Sequence, residues 1–559
     1  EDIKEVPTEL EAIVSQIQLL TESQQIPPVP QPWLPPLKER MTLQELEPIQ
    51  PKEVWEQKKP VSVLLGMADI PQAQKQEPVS VNLSKDGHIL LYGSPGTGKT
   101  TFLQSAAMDL ARKFSPKDVT LYLMDFGTNG LAPLGQLPQV ADTLLLDQTE
   151  KIAKFVRIME RELNRRKKLL SDYGVGTLEL YRQASGQQEP AIVILLDSYE
   201  SMKEEAYEAE LFKLLVRISR EGLSIGVHLL VTAGRQSNLR AQFYANFKHQ
   251  LSLPQNDVGE VRSIVGSTPL AKTMEDIKGR ALMKRDEVDV IQLALPVAGA
   301  NDAQVLNNLR REVASLQEAW TGQRPSAIPM VPEELTEEDF YSRASVQAAY
   351  EQGLVPLGLD METVEPVGWK IEQEPFVYVA NSEEQMITMT KQFSIVSSKI
   401  NTNVYIIAPK YNLIPVLDGY TIISDPENVK DFIEAVELLV SERMEERENG
   451  LHTIIVLYDM STLVGDLNHQ LLDSLANIIK NGYKVGYPVF VETDNQLSKK
   501  IDYASKMVLR IKNALVGLRL NDQHVVDTLS RPLREGALDE QTHYFVSHGQ
   551  VNKVKVLME

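Results

Sequence analysis

The stretch His88-Ile89-Leu90-Leu91-Tyr92-Gly93-Ser94-Pro95-Gly96-Thr97-Gly98-Lys99-Thr100-Thr101-Phe102-Leu103-Gln104 decides the fold. Residues 93–100 satisfy the phosphate-loop pattern G-x-x-x-x-G-K-[ST]. An apolar, strand-like run precedes them, and a helical pattern follows to about Lys113. Strand, glycine loop and helix is the context this pattern requires. The glycines let backbone N–H groups turn inward around a polyphosphate. The helix N-terminus adds its positive end. Gly93, Ser94, Pro95, Gly96, Thr97, Gly98, Lys99, Thr100 and Thr101 are therefore the candidate cradle for ATP. Lys99 would reach the β- and γ-phosphates, and Thr100 would hold Mg²⁺.

A phosphate loop needs an acid at the end of another buried strand. Ala191-Ile192-Val193-Ile194-Leu195-Leu196-Asp197 is an uninterrupted apolar run ending in one. Such runs read as central parallel strands, covered on both faces. Asp197 would order the Mg²⁺ shell from the strand's carboxyl end. Many motor ATPases place Glu directly after this Asp to activate water. Here Ser198 stands there, followed by Tyr199 and Glu200. A serine is a poor base at neutral pH, so the expectation is secure binding with slow hydrolysis.

At 559 residues the chain exceeds a single core, so two or more domains are expected. No apolar run is long enough to span a bilayer, and no signal peptide is evident. Cysteine is absent, which excludes disulfides, thiol catalysis and cysteine metal sites. The eight His residues show no metal-ligand spacing. A net charge of −20 argues against a broad nucleic-acid groove, which needs positive surface. The best basic cluster is Arg161, Arg165, Arg166, Lys167 and Lys168. It lies among Glu160 and Glu162 on a helical stretch and reads as a solvated face. The chain opens at Glu1 inside linker-like sequence, so a piece of a longer protein, with a further module upstream, is expected.

The chain is also a repeat. Leu65-Gly66-Met67-Ala68-Asp69 is echoed by Leu357-Gly358-Leu359-Asp360-Met361. The strand before the phosphate loop is echoed by Phe376-Val377-Tyr378-Val379. The acid-ended strand recurs as Ile454-Ile455-Val456-Leu457-Tyr458-Asp459, which pairs Asp459 with Asp197. The linkers repeat too, as a helical stretch followed by prolines. Residues 9–21 lead into a strap containing Pro32-Trp33-Leu34-Pro35-Pro36, and residues 305–320 lead into Pro325, Pro329 and Pro332. Such straps lie extended on a domain surface. The expected layout is α/β: two tandem RecA-like P-loop modules with mainly parallel sheets, joined by helical and proline-rich linkers. Residues 1–60 form a linker helix and a strap docked on the first module by Trp33 and Leu34. Residues 61–298 form the module with the intact loop, 299–344 a linker, and 345–559 a degenerate module. There Ala380-Asn381-Ser382-Glu383-Glu384-Gln385-Met386-Ile387 replaces the loop. It has no glycine, no Lys, and two Glu that repel phosphate.

The loop, Met159-Glu160-Arg161 with Gly174-Val175, Asp197, and His228-Leu229-Leu230-Val231-Thr232 together resemble the FtsK/SpoIIIE motor ATPases. The tandem modules and proline linkers narrow the resemblance to the type VII (ESX) secretion ATPases, EssC or EccC. It covers essentially the whole chain and implies the second and third of three cytosolic ATPase modules. It implies a membrane-anchored protein acting at the cytoplasmic face, hexameric in the full complex, and no nucleic-acid partner. Its partners would be WXG-type secreted substrates, read through a C-terminal signal, and other modules and subunits of the secretion ATPase. The family's nucleotide residues fall on 93–101 and Asp197. Its Gln-Arg pair after the third motif strand falls on Gly234-Arg235, which makes Arg235 a catalytic candidate with Lys99 and Asp197. Two alternatives stay open: a DNA translocase of the FtsK type, and a scaffold that does not use nucleotide.

Overall fold

The computed structural model describes residues 8–27 and 33–557. The chain divides into two compact units with the boundary between Ile328 and Pro329. Each unit is built on one ten-stranded sheet. No helix among the described residues is long and apolar enough to cross a membrane.

The first sheet comprises β1 (Ser62–Ile70), β2 (Lys75–Asn82), β3 (Ile89–Tyr92), β4 (Val119–Asp125), β5 (Val140–Leu145), β6 (Ala191–Asp197), β7 (Val227–Ala233), β8 (His249–Ser252), β9 (Arg280–Lys284) and β10 (Val288–Leu293). Their order is β2-β1-β10-β9-β8-β3-β7-β6-β4-β5. From β8 to β5 all neighbours are parallel, while β9, β10, β1 and β2 form an antiparallel extension. The long helices are α1 (Glu9–Ser23), α2 (Lys99–Lys113), α3 (Thr149–Tyr173), α4 (Glu208–Ile225) and α5 (Asp302–Ala319). Every residue of β3, β4, β6 and β7 is buried, which is why these strands read as unbroken apolar runs. The basic stretch lies on α3. There Arg165 and Arg166 pair with Glu162, Lys167 with Glu221, and Lys168 with Asp172.

The second sheet comprises β11 (Leu354–Asp360), β12 (Pro366–Lys370), β13 (Phe376–Val379), β14 (Asn403–Ile407), β15 (Thr421–Ile423), β16 (Thr453–Leu457), β17 (Val489–Thr493), β18 (Asn513–Val516), β19 (Thr542–Ser547) and β20 (Gln550–Val556). The order β12-β11-β20-β19-β18-β13-β17-β16-β14-β15 repeats the first sheet strand for strand. Its helices include α6 (Glu383–Ile400), α7 (Pro426–Glu446) and α8 (His469–Asn481). The fold is α/β with two mainly parallel sheets, as the apolar runs require.

Two details of the linker differ from the sequence reading. Trp33 is 79% exposed and Leu34 is 42% exposed, so neither pins the strap. Residues 28–32 lie outside the described residues. The anchors come later, where Leu37, Met41, Leu43, Ile49 and Trp55 are buried. Trp55 gains where Trp33 does not: its indole N–H donates to the Ala111 carbonyl at 2.9 Å while its ring enters the core. The other difference concerns residues 299–328, which belong to the first unit. Helix α5 buries Val305, Leu309, Val313 and Leu316 in the first core, and Trp320 meets Trp55 edge-on at 5.8 Å. Helix α1, by contrast, buries none of its residues.

Candidate nucleotide site

The loop after β3 starts α2, and Gly98 caps that helix at φ 114, in the left-handed region. A Cβ at Gly98 would also come within 3.3 Å of the Gly279 amide nitrogen, which donates to Thr97 O at 2.9 Å. At Gly96 nothing stands within 4 Å of a Cβ position, so the loop's outer edge is open. Lys99 Nζ donates to the Gly93 and Ser94 carbonyls at 2.6 and 3.1 Å. Burial lowers the Lys99 pKa, while the nearby Glu200 and Asp197 charges oppose that shift.

Below the loop, Thr100 Oγ1 donates to Asp197 Oδ2 at 2.7 Å. Thr232 Oγ1 donates to Asp197 Oδ1 at 2.7 Å and accepts from the Ser198 amide at 3.0 Å. Asp197 is 1% exposed, and these two hydroxyls hold both of its oxygens. Gly127 and Gly130 line the same corner. A Cβ at Gly130 would stand 2.2 Å from Thr100 Cγ2, so no side chain fits there without displacing Thr100.

The sheet adds residues that the sequence reading missed. Asp125 ends β4 directly opposite Asp197 in register. One of its oxygens accepts from the Leu131 amide at 3.1 Å, and the other is buried without a partner. Burial raises the Asp125 pKa and the Asp197 charge adds to that, against the backbone amides of Leu131, Gly127 and Asn129, which lower it. A buried orphan oxygen beside a second carboxylate and a threonine hydroxyl suits a hard divalent cation. No cluster of three or more His, Cys, Asp or Glu exists among the described residues. A donor set of two carboxylates and a threonine hydroxyl is one that Mg²⁺, which takes most of its ligands from water and phosphate, would accept. Glu200 is the other addition. Its carboxylate accepts from the Gly234 amide at 3.3 Å and contributes the larger of the two favourable charges at Lys99. Arg235 is exposed. A Ser–Tyr–Glu spacing after Asp197 was the only sequence signal for Glu200, and the acid ending β4 the only one for Asp125.

The second unit has lost this corner completely. Leu457 pairs with Val491 as Leu196 pairs with Val231, and Val379 with Thr493 as Tyr92 with Ala233. Tyr458 therefore stands where Asp197 stands, and Asp459 matches Ser198. Both of the latter have positive φ, 49 and 62 respectively. The pairing of Asp459 with Asp197 read from sequence is one residue out of register. By the same register Glu492 replaces Thr232 and Ala408 replaces Asp125. Glu492 is fully buried, with one oxygen held by the Thr390 hydroxyl and the other unpartnered.

Burial pushes the Glu492 carboxyl well above its ordinary 4.5. The folded state thus keeps a proton that the unfolded chain has released. This group's stability is complete below the ordinary carboxyl value and declines as pH rises toward the folded one, by up to about 1.4 kcal/mol per pH unit. Glu492→Gln is expected to remove that slope. Its stability relative to the parent, measured by urea unfolding, should grow as pH rises above the ordinary carboxyl value. A difference that stays constant with pH would mean that Glu492 does not hold its proton.

A strand-ended acid under a glycine loop, on a mainly parallel sheet, is the arrangement of a P-loop nucleotide site, and residues 46–281 match the FtsK/SpoIIIE family. Within it, the chain is similar to the type VII secretion system protein EssC of Staphylococcus aureus, at 30% identity over 99% of this chain. The chain spans 38% of that relative's length. Its structure matches ATPases 2 and 3 of EssC from Geobacillus thermodenitrificans, with TM-score 0.83, 26% identity, and coverage of 94% of this chain and 99% of that one. It shares its fold with ATPases 2 and 3 of Thermomonospora curvata EccC, a structure in complex with a signal sequence peptide (TM-score 0.58, 20% identity, 94% and 100% coverage).

Proposed function

We propose that this chain is the nucleotide-regulated, substrate-receiving part of a type VII secretion ATPase at the cytoplasmic face of the membrane. One observation carries the reading: a complete phosphate loop over the Thr100–Asp197–Thr232 chain in one module, beside a dismantled corner in the other. The first module binds one ATP through residues 93–101. Thr100 and Asp197, with Asp125 beside Asp197, would hold Mg²⁺, which would supply charge to offset the phosphates. Lys99 turns from its loop carbonyls toward the phosphates. Glu200 takes the water-orienting role that Ser198 cannot. Calorimetry on the whole chain should find one Mg·ATP bound. Two would mean that the second module also holds nucleotide. Duplex DNA should leave ATP turnover unchanged, and stimulation by DNA would favour a translocase.

The second module receives the substrate's tail. In the first unit the connection from β4 to β5 buries Leu131, Leu134 and Leu137 in the same core as Leu309, Val313 and Leu316 of α5. The equivalent connection, from β14 to β15, leaves Tyr411, Leu413 and Val416 exposed at 88, 71 and 90%. A face that takes an amphipathic helix in one module is bare in the other, as a helix-in-groove receptor requires. Labelled WXG-type substrate tails should bind the chain weakly as monomers and more tightly when presented in pairs. Tyr411→Ser with Val416→Ser should abolish that binding. Unchanged binding by the double variant would place the receptor elsewhere.

A further inference from the structure

We propose that linker helix α5 is a wall of the nucleotide site: it completes a pocket for base and ribose beside the phosphate loop, so that bound ATP holds the linker down. This rests on the reading that residues 93–101 bind ATP.

The pocket is a cavity of about 380 Å³ that opens at Gly98 and Thr101, on the first turn of α2. It therefore begins where the phosphates end. Small-ligand pockets of roughly 300–1,000 Å³ are apolar-walled with a few polar groups at the rim, and this one has that character. Phe102 and Leu293 line it. Val305, Leu306 and Leu309 of α5 line it as well. Its charged lining is mixed: Arg40 and Lys278 with Glu39 and Asp302. Without α5 the cavity would be an open shelf, unable to desolvate a purine.

The two halves of α5 are held differently. Toward its C-terminal end, Glu312 receives both Nε and Nη2 of Arg112 at 2.6 and 2.8 Å, and Arg112 is almost fully buried. Arg112 Nη2 also donates to the Pro296 carbonyl at 2.6 Å. Val313 and Leu316 add burial there. At the N-terminal end Val305 and Leu309 are buried too, but the ion pair there, Lys278 with Asp302 at 3.2 Å, is well exposed. Exposed pairs contribute little. Residues 302–309 lack a buried ion pair like Arg112–Glu312 and are the half that lines the pocket, so a ligand's effect on α5 would be read there. Arg112 and the pocket's Phe102 both sit on α2, so the phosphate-loop helix carries the linker's anchor and its ligand-dependent contact. Beyond α5, Ile328 donates its amide to Asp142 at 3.0 Å before the chain enters the second unit. Nucleotide occupancy would set how firmly this tether is seated.

The linkage is quantitative. A ligand that needs the wall in place suppresses its opening by the factor 1 + [L]/Kd, about 100-fold at a hundred times Kd. The test is hydrogen exchange of residues 302–309 in the whole chain, with Mg·ATP, with Mg·tripolyphosphate, and with neither. Tripolyphosphate supplies the phosphates and lacks base and ribose. Mg·ATP should slow exchange of these amides by tens of fold, and tripolyphosphate should leave them unchanged while binding by calorimetry. Leu306→Ala, at a half-buried wall position, should weaken ATP roughly five- to tenfold and leave tripolyphosphate affinity unaltered. Calorimetric binding of ATP with no change in α5 exchange would overturn the pocket alone. So would equal protection by tripolyphosphate, or parental ATP affinity in Leu306→Ala. Absence of any ATP binding would overturn the site reading and the pocket together.

Discussion

ATP binding is expected to fall about 30-fold or more in Lys99→Ala, because removing one partner of a charged hydrogen-bonded pair commonly costs about 2–5 kcal/mol. In the protein, the Lys99 ammonium rests on the Gly93 and Ser94 carbonyls, inside the loop that would wrap the phosphates. An alanine leaves those carbonyls facing phosphate oxygens, which replaces an attraction with a repulsion. Thermal stability without nucleotide should change little, since the side chain is only half-buried and gives up no core packing. Calorimetry with Mg·ATP measures the loss. Parental affinity in the variant would remove residues 93–101 as the site.

Glu200→Gln should lower ATP turnover by about 10² to 10³, the usual worth of a positioned general base, with ATP affinity nearly intact. The geometry supports Glu200 over Ser198. Ser198 occupies a left-handed backbone position, with its amide committed to Thr232. Glu200 is held by the Gly234 amide and sits near enough to Lys99 to favour its charged form. The glutamine keeps the shape and the contact to Gly234 while removing the base. A drop in affinity that matches the drop in turnover would instead assign Glu200 to binding. Equal turnover in variant and parent would return the question to Ser198 and Arg235.

The phosphate loop, Asp197 and the duplication were legible in the chain because each is local. A cradle of eight consecutive residues, with a strand before and a helix after, depends on backbone freedom and charge within one turn of chain. An apolar run that ends in an acid announces a doubly covered strand and its terminus. Repetition of the same order announces a second copy. Trp33 shows the limit. A Trp among prolines suggested an anchor, yet Trp55 holds that role, because a buried indole needs an acceptor, and the Ala111 carbonyl on α2 supplies it.

Sequence by itself determined the α/β class, the tandem layout, the loop at residues 93–101 and its loss from residue 380 onward. Tertiary structure alone decided which acids share the corner. Asp125 belongs there because β4 lies beside β6 in a register that sets it opposite Asp197. Asp459 does not match Asp197, because pairing with β17 aligns Tyr458 with it instead. The reason is physical. A strand's composition fixes that it is buried, but its register is set by hydrogen bonds to neighbours far away in sequence, and one residue of slip turns every side chain to the other face. The α5 wall of the first module's pocket was hidden in the same way. Val305, Leu306 and Leu309 read as an ordinary amphipathic helix until the fold brings them to one cavity with Phe102.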